Sequence, residues 1–249
     1  MVNPKIEVCA NSAASCVAAE QGGAVRVGLC AGIPEGGTTP SYGEMVTARR
    51  AIGIQLNVII RPRGGDFLYT PAEVQTMLLD IEAAKAAGAD GAVFGCLGAD
   101  GTVDVETNAR LKQAAGGLST TFHRAFDVCR DPFEALEEII ALGFDRILTS
   151  GQEATAPAGS ALIAELVRRA QGRIIIMPGC GVNETNVAGL ARDTGATEFH
   201  MSARRRVEGG MVYRNDRVSM GGTVTVEEFA RDVTDPERVA RSIEALRHV

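Results

Sequence analysis

At 249 residues, 45% of them hydrophobic, the chain is long enough for one large core, and its six cysteines show no CxxC spacing, so neither a zinc ribbon nor a disulfide framework is expected. A net charge of −6, 4% aromatic residues and no tryptophan argue against a nucleic-acid surface and leave a small molecule or ion as the expected partner. No apolar run approaches the ~20 residues of a membrane span and no signal-peptide pattern follows Met1, so the expectation is a cytoplasmic protein with reduced thiols and no membrane partner.

Eight β-type runs follow one another along the chain: 5–10, 24–29, 55–60, 91–95, 119–126, 146–151, 173–179 and 197–202. Helical patterns lie between them. Segments 71–88 and 131–143 each open on a cap or a first-turn proline and close on glycine, and Asn183 is placed to cap a helix over 183–191. Segment 203–222 is longer than an ordinary loop and carries Arg204, Arg205, Arg206, Arg214 and Arg217. It reads as an anion-attracting lid, an ordered interface or a disordered tip. EEFARDV (227–233) and PERVARSIEALRHV (236–249) read as helices closing the structure. Eight strand–helix units without a second domain predict a single (β/α)8 TIM barrel over residues 1–249. An open doubly wound sheet is the alternative, disfavoured because no strand leads into a G-x-G-x-x-G turn.

In such a barrel, chemistry sits where the strands end. The stretch RPRGGDF (61–67) stands at that rim, and Arg61 and Arg63 could clamp a carboxylate or phosphate, or could pair with Glu7 or Asp66. Arg26 is expected to pair with Glu7 on the neighbouring strand. His123 could act as acid or base, or be a neutral core histidine; His200 could share its site, while His248 is terminal. Arg124 and Asp127 could orient a ligand or each other. Asp66 could be a catalytic carboxylate or the end of a tight turn. Gly179 and Gly181 suggest a phosphate cradle or a plain turn, and Thr149, Ser150 and Ser202 add hydroxyls to the same rim. Cys9 and Cys30, on adjacent strands, are the best pair for Cu(I), which favours thiolates. No organic cofactor is indicated.

In order and over nearly the whole chain, the runs EVCANS, GLCAGIPEGGTTPS, RPRGGDF, HRAFD, LTSG, GCGV, EFHMS and YRN resemble the CutC family, the copper-homeostasis proteins. The resemblance implies a cytoplasmic, homo-oligomeric TIM barrel concerned with copper binding or trafficking. One departure is Gly28, where the family usually has an acidic residue, so a role for that carboxylate is lost or passes to Glu7. The alternative, from the residues alone, is an enzyme acting on a small anionic metabolite, with His123 as acid or base, Arg61 and Arg63 as clamp and Glu7 as partner.

Overall fold

Short runs rich in Val and Ile alternate with capped helices, and in the computed structural model they become β1 Lys5–Ala10, β2 Arg26–Leu29, β3 Gln55–Ile59, β4 Gly91–Phe94, β5 Ser119–Phe122, β6 Arg146–Thr149, β7 Ile175–Pro178 and β8 Glu198–Met201. Residues 4–221, 227–247 and 249 are described; residues 1–3, 222–226 and His248 lie outside. The eight strands run parallel in the order β7-β6-β5-β4-β3-β2-β1-β8, and β7 lies against β8. The sheet is therefore a nearly closed barrel. Register pairs such as Lys5↔Glu198 and Glu7↔His200 join the first strand to the last, which an open doubly wound sheet would not do.

Helices α1 Ala13–Gln21, α2 Tyr42–Ala51, α3 Pro71–Ala86, α4 Val105–Ala115, α5 Pro132–Ala141, α6 Ser160–Ala170 and α7 Val187–Thr194 each follow their strand, and α8 Pro236–Leu246 ends the chain. Their starts follow from local chemistry. Thr70 and Glu73 form a reciprocal capping box ahead of Pro71, while Asp131 and Asp235 each accept two backbone N–H groups ahead of a first-turn proline. The buried apolar face of each strand packs against helix residues such as Met45, Ala48, Met77 and Ile81, so the main core lies between sheet and helices.

Three expectations change. Strand β5 stops at Phe122, because His123 turns the chain: its Nδ1 accepts from Ala125 N at 3.3 Å and a short 3-10 turn, Arg124–Val128, follows. Helix α7 begins at Val187, not Asn183, whose carboxamide instead accepts from Thr185 N at 2.9 Å in a local turn. EEFARDV is not a helix. Its second half is β10 (Ala230–Thr234), antiparallel to β9 (Arg204–Glu208), with Asp232 opposite Arg206 as a cross-strand charge pair. The long segment after β8 thus begins as an ordered strand.

Candidate functional site

Inside the barrel the side chains are charged. Arg26, which is fully buried, donates through Nε to Glu7, as its sequence position suggested, and through Nη2 to Glu198 Oε2 at 2.6 Å. Arg146 donates to the same Glu198 oxygen at 2.7 Å. Two carboxylates and two guanidiniums neutralise one another in a dry interior, which is the condition for keeping them there. Burial opposes ionisation of Glu7, but Arg26 and His200 hold its carboxyl down at about 2. Glu7 therefore lies below the rim and does not line the cavity above it.

That cavity, about 660 Å³, opens where the strands end. Cys9, Arg61, His123, His200, Ser202 and Arg204 line it, as do Arg124, Asp127 and Gly181. Arg63, Asp66, Ser150, Gly179 and Cys30 do not. Asp66 is 73% exposed on the outer side of the RPRGGDF turn. A Cβ at Gly179 would lie 2.4 Å from Leu148 and 3.2 Å from His200 Cβ, so this glycine is required for close packing of β7 against its neighbours. Gly181 reaches the cavity with φ of +74°, and its carbonyl accepts from Asn186 Nδ2 at 2.8 Å.

Cys9 and Cys30 are brought together by register: Cys9 on β1 pairs with Gly28 on β2, Cys30 follows two residues later just past the end of β2, and the sulfurs are 3.7 Å apart. Cys9 touches the cavity; Cys30 is buried behind it. The Cys30 thiol bonded to Cys9, then, against the cost of burial, His200 and the Arg204 guanidinium, lower the Cys9 thiol well below the ordinary range. Arg204 Nη2 donates to Cys9 Sγ at 3.3 Å. Cys30 is pushed up by the same contact and by burial, and so keeps its proton. His200 stands between two anions. Burial disfavours its charge, but bonds to Cys9 and to Glu7, whose Oε1 is 2.6 Å from Nδ1, raise it to about 10. Cys9, His200 and Glu7 thus form a chain in which the imidazole stands between two groups whose ionised forms it favours. A Cβ at Gly28 would lie 3.5 Å from both Glu7 Oε1 and His200 Cε1, so this glycine stands directly beside the Glu7–His200 contact.

The two rim arginines do not form a fork. Arg61 Nη1 donates to Glu35 O at 2.6 Å and Gly37 O at 3.0 Å, and Nη2 to Gly65 O at 2.8 Å. Arg63 is fully engaged by Glu73 at 2.5 Å and by the carbonyls of Gly64, Asp66 and Leu68. The paired-guanidinium clamp is therefore corrected: both side chains brace the turn, and only Arg61 retains an unpartnered N–H, its Nε. Asp127 is likewise committed. It accepts from Thr149 Oγ1 at 2.5 Å, Ser150 N at 2.9 Å and Arg124 Nε at 2.7 Å, latching the turn after β5 to the end of β6. His123 is neutral: burial and the nearby Arg61 lower it to about 3. Its Nε2 has no partner. Arg204, read from the sequence only as part of a segment that could be lid, interface or disordered tip, is the missed residue of the thiol site; that it follows the last barrel strand was its one signal.

As a metal site, the thiol pair fits a soft ion and little else. Among the described residues no group of three or more His, Cys, Asp or Glu is arranged to hold a metal, so a tetrahedral zinc centre is not built. Two sulfurs, one of them with its thiol lowered by its neighbours, suit two-coordinate Cu(I). A family model for CutC matches residues 4–205. The chain belongs to the CutC family. It is 60% identical over 247 residues to a family protein CutC of Bacteroides fragilis, covering 99% of this chain and 98% of that one. It is 46% identical over 241 residues, 97% of this chain and 88% of the other, to a human protein named copper homeostasis protein cutC homolog. A solved CutC structure from Streptococcus agalactiae superposes with a TM-score of 0.77 at 35% identity, over 80% of this chain and 98% of its own.

Proposed function

We propose that this CutC protein binds Cu(I) as cargo through Cys9 and Cys30 and serves copper homeostasis. The observation that carries this reading is the pair of sulfurs 3.7 Å apart, with Cys9 at the cavity wall and its thiol lowered by Cys30, His200 and Arg204. A thiolate is the ligand form, so the site has less proton to displace than an ordinary thiol pair. Bound between two thiolates, Cu(I) leaves one net negative charge, which Arg204 is placed to balance. The cavity gives the ion a route in and out, which suits a carrier. Six free thiols without a disulfide fit a reducing compartment, supporting a cytoplasmic location. Exposed Met211, Val212 and Tyr213 beyond β9 support self-association into a homo-oligomer. Anaerobic competition against a colorimetric Cu(I) chelator tests the assignment. Equimolar tight binding is expected, lost in Cys9→Ser and Cys30→Ser; equal binding by Cys30→Ser would sink it.

A further inference from the structure

Arg61 is 6% exposed and, among the described residues, has no carboxylate within ion-pair distance, whereas the other deeply buried guanidinium, Arg26, has two. Three carbonyl oxygens solvate Arg61 but do not neutralise it, the buried Tyr69 hydroxyl that also reaches its side chain is uncharged, and its Nε–H makes no hydrogen bond. A buried cation left in this state is costly unless an anion completes it. Beside it stands His123, also 6% exposed. Its Nδ1 accepts from Ala125 N, which places the ring proton on Nε2, and that N–H has no acceptor. Both residues line the cavity and pack on Phe67, the guanidinium carbon 5.0 Å and the imidazole 4.9 Å from its ring centre, so the two side chains are held together at one part of its lining. A third unpartnered donor, Arg204 Nε, belongs to another residue of the lining.

The carboxylates that line the cavity do not satisfy these groups. Asp127 is saturated by the hydroxyls, amides and guanidinium already described, and Glu35 reaches Arg61 only through its backbone carbonyl. We infer that the cavity is a binding site for a small oxyanion, a carboxylate- or phosphate-bearing metabolite whose charged group accepts from Arg61 Nε and His123 Nε2. The site differs from the rim clamp that the sequence suggested, because it uses one nitrogen from each of two residues and leaves Arg63 out. It is also separate from the thiol pair. Cu(I) needs soft donors and the oxyanion needs N–H groups, so each site can fail without the other. The remaining volume, about 660 Å³ in all, accommodates the body of a metabolite.

Isothermal titration with inorganic phosphate and, separately, with succinate tests the inference and distinguishes the two anion classes. Wild-type protein is expected to bind at least one of them saturably and with one site. His123→Phe keeps the ring on Phe67 but removes the Nε2–H, together with the Nδ1 that accepts from Ala125 N, and with its fold checked by circular dichroism is expected to weaken binding about tenfold, the consequence of losing one hydrogen bond to a charged group. Arg61→Met should abolish binding, with circular dichroism confirming that the chain is folded; if it is not, the His123→Phe result decides. Cys30→Ser should bind the anion as wild type does while losing Cu(I). Absence of saturable binding of either anion to the wild type, or equal binding by wild type and His123→Phe, overturns the inference.

Discussion

At the floor of the barrel Arg26 lies between Glu7 and Glu198, with Arg146 completing the set, whereas at the mouth Arg61 faces three carbonyl oxygens and no carboxylate. Both guanidiniums are buried. The floor is electrically closed by the protein itself, so its residues contribute to holding the strands in register and have nothing left to offer a ligand. The mouth is left open by the same measure: Arg61 Nε and His123 Nε2 are buried donors without acceptors. Unpaired buried polar groups cost stability, and the proposed oxyanion would supply the acceptor that these two donors at the mouth lack. The contrast separates arginines that build from arginines that bind, although both types stand on inward faces of the same barrel.

The floor should respond most strongly to mutation. Arg26→Met leaves Glu7 and Glu198 buried together without their main counter-charge, and should cost about 3–5 kcal/mol in urea unfolding, the range for breaking a buried pair from one side. A cost below about 1 kcal/mol would show that the floor is not mutually neutralised. Acid should act on the same cluster. The Glu7 carboxyl is lowered from 4.5 to about 2 in the folded chain, so the stability it contributes is fully present above pH 4.5 and is lost as pH falls through about 2. In Arg26→Met, acid unfolding should begin at a higher pH.

Between floor and mouth lies His200, and its replacement should be felt at Cys9. Because the imidazolium helps hold Cys9 as thiolate, alkylation of Cys9 by iodoacetamide should be nearly independent of pH between 7 and 9 in wild type. In His200→Gln the thiol shifts back up towards its ordinary range. Its alkylation at pH 7 should slow about tenfold, as expected for roughly one unit of thiol titration, and recover as pH rises towards 9. A flat profile in the variant would mean that Cys30 and Arg204 suffice without the histidine.

At the mouth the effect on stability should be small. His123→Phe removes an unsatisfied buried N–H but also the Nδ1 that accepts from Ala125 N, while keeping an aromatic ring against Phe67, so in ligand-free protein a gain and a loss of about 1 kcal/mol each should offset and leave stability within about 1 kcal/mol of wild type. Destabilisation well beyond that in urea unfolding would show that Nε2 has a partner in solution and that the mouth is closed after all.

The parts that were legible in the sequence are those governed by local pattern. The eight strands, the capped helices at Pro71 and Pro132, and the Arg26–Glu7 pair all follow from periodicity two, cap chemistry and adjacency of consecutive strands. Contacts across the closure were not legible. Glu7 meets His200, and Arg26 meets Glu198, only because β8 returns beside β1 in a specific register, which no local window contains. The fate of Arg61 depends on the path of residues 35–37, whose carbonyls turn towards the guanidinium; composition suggested a charged rim but could not show that its donors were already taken. EEFARDV misled because its charges could equally line an exposed helix face, and only pairing with Arg204–Glu208 selects the strand.

The smallest expected effect is that of Asp66→Asn, and it sharpens the boundary of the mouth. Asp66 is the one carboxylate inside RPRGGDF and an obvious catalytic candidate from sequence. Its side chain is mostly in solvent, and its ion pair with Arg63, at 3.1 Å, is one of several contacts that guanidinium makes. Exposed pairs of this kind contribute within roughly 0.5 kcal/mol, because water screens the attraction and two long side chains lose freedom in making it. Arg63 would remain fixed by Glu73 at 2.5 Å and by three backbone carbonyls, so the turn that supports Arg61 should not move. Asp66→Asn should therefore match wild type in urea unfolding and in titrations with Cu(I), phosphate and succinate. A tenfold change in phosphate affinity, with stability unchanged, would instead place Asp66 within the oxyanion site and extend the mouth outward past Arg63.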